Sequence, residues 1–334
     1  MTSTYSSRPQ GSRLADLLAA HAQLLSIAGF FLIMVVIFSI ASPVFLSTGN
    51  ILNLVRQTAP ILIVALAMTF VITTGGIDLS VGSVVALINA SCAIILQMGL
   101  PWPLAVIGLL MLGAAIGAMQ GWFIAYQGIQ AFIVTLAGLS ALRGIALLMT
   151  EGFSIPISTD LGFVNIGRGW FLGVPAPAWI AFIVVAAGFI TFWGTRFGRY
   201  VTAIGANQEA ARRSGISTKR IVLWVYVLTG VAAALAGIII AARLGSGSSN
   251  AAVGFELEVI AAVVLGGTSL MGGRGSIAGT VLGALTIGVI GNGLILSHVS
   301  PFFTQIVTGS IILLAVWLNA RVFSRLASGS RRKN

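Results

Sequence analysis

The sequence predicts an all-α polytopic membrane protein of about ten transmembrane helices, with both termini cytoplasmic. Three observations carry this. The chain is 57% hydrophobic and only 7% charged, where a soluble domain is about one quarter charged. Such a composition cannot coat a water-facing globule of 334 residues. Hydrophobic stretches of roughly 20 residues, the length that spans a bilayer, recur along the chain. The basic residues are also unevenly placed. With the N-terminus inside, fourteen fall on the inner side and three (Arg56, Arg168, Arg243) on the outer, while Arg143 lies within a span. Basic residues favour the cytoplasmic side, so the net charge of +11 signals topology rather than nucleic-acid binding.

Residues 1–22 are polar and Ser-rich and form a cytoplasmic tail. A membrane domain covers 23–320, and a basic cytoplasmic tail covers 321–334. The expected spans are 24–43, 58–75, 80–98, 103–126, 131–150, 176–194, 221–243, 256–272, 276–297 and 301–320. The first is too long for a signal-peptide core and is read as retained. All are too long for strands of an outer-membrane barrel. Helices satisfy every backbone polar group within the segment, which lipid demands. The eighth span is the least regular, because Glu256 and Glu258 open it and Gly266-Gly267 interrupts it.

Two connections are long. Outer residues 151–175 should form a folded cap with a short irregular or re-entrant piece. Inner residues 195–220 form the one long charged loop, with a short helix at 207–214. There Asn207 is a good N-cap, Glu209 sits in the first turn, Arg212 and Arg213 in the last, and Gly215 ends it. Two roles suit this helix: a basic element on the membrane surface, or a docking helix for a cytoplasmic partner.

Small residues at four-residue spacing (Gly113, Gly117 and Gly121; Gly279 and Gly283) should let helices approach closely. Gly75-Gly76 with Asp78 and Ser80 is echoed by Gly266-Gly267 with Ser269, a weak internal repeat. The lone cysteine, Cys92, packs inside the third span and precludes an intramolecular disulfide.

Enzyme chemistry finds no support. His21 and His298 lie near opposite faces, no HExxH is present, and no span holds paired carboxylates. The Gly266–Gly275 stretch lacks the Gly-Lys-Ser/Thr ending of a phosphate loop. Asp78 suits a helix cap or a gate. Arg143 suits snorkelling or bonding to carbonyls at a helix break. The polar residues Asn89, Gln120, Thr135, Ser140 and Asn292 suit interhelical hydrogen bonds or a solute pathway, with Trp122 and Phe132 placed to stack on a ring.

Three stretches carry a family resemblance. Gly205-Ala206-Asn207-Gln208-Glu209-Ala210-Ala211-Arg212-Arg213-Ser214-Gly215-Ile216 resembles the coupling-loop motif of ABC importer permeases of the ribose/simple-sugar class. Gly75-Gly76-Ile77-Asp78-Leu79-Ser80-Val81-Gly82-Ser83 resembles that family's GGIDLSVG signature, and Leu265–Gly275 is the third match. The resemblance spans roughly residues 25–320.

It implies a non-catalytic permease subunit with a fold like the vitamin B12-type importers, in the bacterial inner membrane. Two permease copies, identical or paralogous, would form the pathway. A separate cytoplasmic ATPase would hold ATP and Mg²⁺, and an extracytoplasmic binding protein would deliver a monosaccharide. Asn207, Glu209, Ala210, Ala211, Arg212 and Gly215 would couple to the ATPase. Gly75, Gly76, Asp78, Ser80, Gly266, Gly267, Ser269, Gly272 and Gly273 would form gating or structural motifs. A permease for another small solute, an ion-coupled carrier and a membrane scaffold are the competing readings.

Overall fold

The computed structural model describes residues 13–160 and 162–300, with side chains from residue 24, and single positions at 303, 306, 309, 310, 313 and 317. Residues 1–12 of the expected tail 1–22, and the expected tail 321–334, lie outside the described residues. The expected span 301–320 is described only at those six positions, each helical.

The first half of the described chain is five helices: α1 (Arg13–Ala41), α2 (Thr48–Thr73), α3 (Val81–Gln97), α4 (Trp102–Ala125) and α5 (Ala131–Thr150). α1 starts at Arg13, inside the stretch expected to be tail. α2 starts ten residues before the expected 58. Its first turns carry Asn50, Asn53, Arg56 and Gln57, which depress hydropathy, but Ser47 caps them and Asn50 bonds Asn292 of a distant helix.

The 151–175 segment is folded, as expected. It holds β1 (Ser154–Pro156), a 3₁₀ turn, α6 (Asn165–Arg168), β2 (Trp170–Phe171) and β3 (Val174–Pro175). α7 (Ala176–Phe189) follows and ends in a π turn over Ile190–Gly194. At the other end of the bundle come α8 (Arg196–Ala206) and α9 (Gln208–Arg213). α10 (Thr218–Leu244), β4 (Ser246–Ser248), α11 (Phe255–Leu265) and α12 (Ile277–Leu296) complete the described order. Among the described residues, seven helices are long and apolar enough to cross a membrane.

The expected eighth span, 256–272, is corrected. Its helix stops at Leu265, and 11 residues rise only about 16 Å. The stop is chemical: Gly267 adopts φ +86°, and its N–H and that of Thr268 bond back to Val264 and Val263. The outer part of this crossing is a short strand followed by turns instead. β4 pairs antiparallel with β1, matching Ser154 with Ser248. Residues 249–254 then run inward along α3 until Ala252 and Glu256 lie against Gly82. α11 therefore begins inside the bundle.

α2 and α10 form the buried centre, while α4, α5 and α7 expose most of their apolar surface. The glycine spacing on α4 places backbone against backbone. Gly113 sits on Gly230, Gly117 on the Tyr226 carbonyl and Gly121 on Leu223. On α12, Gly279 and Gly283 meet the carbonyls of Gly266 and Ala262. In lipid, such contact is what holds helices together.

Candidate functional site

The two ends of the bundle differ in charge. Loops 74–80, 126–130, 195–217 and 266–276 share one end, which carries Arg196, Arg199, Arg212, Arg213, Lys219, Arg220 and Arg274. By the bias of basic residues this is the cytoplasmic end.

The three stretches singled out in the sequence meet there. Gly75 (φ +86°) ends α2 with its N–H on the Ile72 carbonyl, and Gly76 N–H reaches Val71. Gly267 and Thr268 repeat this pattern at the end of α11, so the internal echo is one capping geometry used twice. The two loops are stitched together, because Gly273 N–H bonds the Thr73 carbonyl at 2.9 Å. Gly205 of α8 packs directly on Thr73 and Gly273, where a Cβ would collide with backbone. The 205–216 stretch is thus anchored to both glycine loops.

α9 forms where its sequence predicts it. Asn207 Oδ1 accepts from Ala210 N–H at 2.9 Å. Gly215 (φ +83°) closes the helix, and Ile216 N–H bonds Ala211. Glu209 takes Nε of both Arg212 and Arg213, each at 3.0 Å. These bonds, from Arg212 first and Arg213 second, hold the Glu209 carboxyl below its ordinary range. Ala211 is buried, and the three charged side chains stay more than half exposed. The result is a short rigid knob at the cytoplasmic end, with a fixed charge pattern facing out.

Asp78 sits in the extended stretch that leads into α3 and is fully buried. Its Oδ1 accepts from the Ser80 N–H (2.9 Å) and hydroxyl (2.7 Å). Ser80 in turn accepts from Gln120 Nε2 at 2.9 Å. Asp78 closes its own turn, whereas Ser80, the residue at the cap position of α3, makes no side-chain capping bond. An amide at 78 keeps the acceptor. Asp78→Asn should therefore change uptake by less than about twofold, within the range of neutral substitutions. Asp78→Leu strands the buried Ser80 N–H, at roughly 1–3 kcal/mol, leaves the Ser80 hydroxyl only Gln120 Oε1 at 3.1 Å, and should cut the yield of folded protein. Equal yields for both variants in size-exclusion profiles would refute this account.

The other singled-out residues do not gather in one place. Asn89 donates to the Gly237 carbonyl and accepts from Ser248 N–H, tying α3 to α10 and β4. Thr135 reaches the Ile77 carbonyl at 3.2 Å. Asn292 exchanges two amide bonds with Asn50, at 2.9 and 3.0 Å. Trp122 and Ser140 lie on the exposed surfaces of α4 and α5. Phe132 borders a cavity of about 530 Å³ beside Gly75, Gln208 and Tyr226 at the cytoplasmic end.

Arg143 bonds carbonyls at an interruption between helices, one of its two expected roles. Its Nη1 donates to Ser249 (2.7 Å) and Ala251 (2.9 Å), and its Nη2 to Ala252 (3.3 Å). The sequence reading missed Glu256 and Glu258 as membrane-embedded acids, because it took them as the polar edge of a span. The available signal was Gly254, which adopts φ +78° just before α11.

Residues 50–316 match the family described as branched-chain amino acid transport system / permease component. The ribose import permease protein of Escherichia coli K12 is 47% identical, over 85% of this chain and 90% of its own length. That of Haemophilus influenzae is 43% identical, covering 85% and 89%. The xylose transport system permease protein of E. coli K12 is 38% identical, covering 83% and 86%. With a multi-span membrane architecture and a match over most of its length, the chain belongs to the family of ABC transport-system permease components and is a non-catalytic membrane subunit.

Proposed function

We propose that this chain carries a monosaccharide across the bacterial inner membrane as the permease of an ATP-driven importer, with ribose the first candidate. Ribose leads because the relatives named for it are 43–47% identical, against 38% for the one named for xylose. Ten crossings with both termini cytoplasmic, in a vitamin B12-type arrangement, suit the positions of the helices. The crossing through 246–265 and the expected span 301–320, described at six positions, would complete the set.

The observation that carries the mechanism is the anchoring of α8, which leads directly into α9, to both glycine loops through Gly205. An ATPase docked on Asn207, Glu209, Ala210, Ala211, Arg212 and Gly215 would push on α8. Gly205 would pass that displacement to Thr73 and Gly273, and so to the ends of α2 and α11. The loops holding Gly75, Gly76, Asp78 and Ser80, and Gly266, Gly267, Ser269, Gly272 and Gly273, then act as the hinge. Packed helices respond to such a push by switching between discrete arrangements. ATP and Mg²⁺ belong to the ATPase, a binding protein delivers the sugar from outside, and a second permease copy completes the pathway.

Reconstitution tests this reading. Vesicles holding the permease with its ATPase, plus the binding protein, should accumulate labelled ribose only when ATP is present on the ATPase side. Uptake driven by an ion gradient without ATP would place the chain among secondary carriers.

A further inference from the structure

A second cavity of about 530 Å³ opens between α2, α11 and α12, away from the cytoplasmic end. Glu258, Gln57, Thr58 and Asn292 supply its polar lining, and Leu54 and Ile287 flank them. Neither Glu258 nor Gln57 has a hydrogen-bond partner among the described residues. Of the two acids in the first turn of α11, Glu256 is the one influenced by Arg143. Glu258 is left half-buried, facing the cavity, without a cation beside it among the described residues. An ionisable group embedded in a membrane protein marks a functional site.

We propose that Glu258 and Gln57 form a transient station for a neutral polyhydroxylated solute within the permease. This assignment rests on the sugar-importer reading above and names its intramembrane contacts.

The chemistry fits that class. A carboxylate accepts from two hydroxyls at once, and a primary amide both donates and accepts. The apolar flanks suit the C–H face of a sugar. The volume falls within the roughly 300–1,000 Å³ of small-molecule sites. A metal cation fits poorly, since Glu258 is the one acidic side chain in the lining and no cluster of three His, Cys, Asp or Glu that could hold a metal occurs among the described residues. With only two unpaired groups, the station holds solute briefly, as passage requires. The cavity also lies where α11 begins, so a push on the cytoplasmic end of α11 reshapes it.

The test uses the reconstituted complex with Glu258→Gln, Glu258→Ala and Gln57→Leu. Initial ribose uptake and binding-protein-stimulated ATP hydrolysis are measured side by side. Loss of a charge-assisted hydrogen bond predicts uptake reduced about tenfold or more in Glu258→Ala, with hydrolysis close to wild type. Glu258→Gln should retain an intermediate rate, and Gln57→Leu should lose uptake in the same selective way. Wild-type uptake in all three variants overturns the station. So does a parallel fall of uptake and hydrolysis in the isosteric Glu258→Gln. Failure of the underlying reading looks different: the unmodified complex then hydrolyses ATP without moving any monosaccharide, and both proposals fall.

Discussion

Arg143→Ala should cost more folded protein than any other single polar substitution in the chain. The guanidinium serves three carbonyls, those of Ser249, Ala251 and Ala252, in a half-buried run of turns between β4 and α11. Non-helical backbone at membrane depth persists only where protein groups satisfy it. Each carbonyl stripped of its donor costs roughly 1–3 kcal/mol. Removing all three, and leaving Glu256 without its nearby cation, should release the segment that positions the start of α11. Arg143→Lys should rescue little, because a single ammonium lacks the planar fork that reaches several acceptors. Yield and thermal midpoint of detergent-purified protein read this directly. A wild-type midpoint for Arg143→Ala would show that the segment is held by other contacts.

Gly117→Leu should have a comparable effect through packing. A Cβ at 117 would collide with the Tyr226 carbonyl and crowd Val227 Cα, so α4 and α10 must separate. Overpacking typically costs about 1–3 kcal/mol, and here rigid backbone does the resisting. Gly108 lies on the same helix, with open space where a Cβ would go. Gly108→Leu should therefore stay within about 0.5 kcal/mol of wild type, as exposed changes do. A thermal-shift comparison of the pair separates contact from composition. Equal midpoints would mean that the α4–α10 contact does not limit stability.

These residues show what the sequence made legible. Hydropathy located most crossings, because lipid imposes one rule on every segment that meets it. Glycine spacing announced a close helix contact on α4, though not that α10 is its partner. Asn207, Glu209 and Gly215 announced α9, because capping and turn chemistry are local. The α11 crossing was not legible. Its helix is short, and its non-helical half depends on Arg143, more than a hundred residues away. The early start of α2 was hidden for the same reason, since Asn50 is polar until its partner Asn292 is known. The cavity beside Glu258 needed three separate helices to be placed before it existed.

The central claim is that α9 is where a cytoplasmic ATPase takes hold of this permease. A gentle-detergent pull-down of the tagged chain, followed by an ATP-hydrolysis assay on the recovered material, tests it most directly. The unmodified chain should bring down an active ATPase. Joint replacement of Glu209 and Arg212 by alanine should lose it while leaving membrane insertion and yield intact. Recovery of the same amount of ATPase with the doubly substituted chain would contradict the assignment and move the docking surface elsewhere.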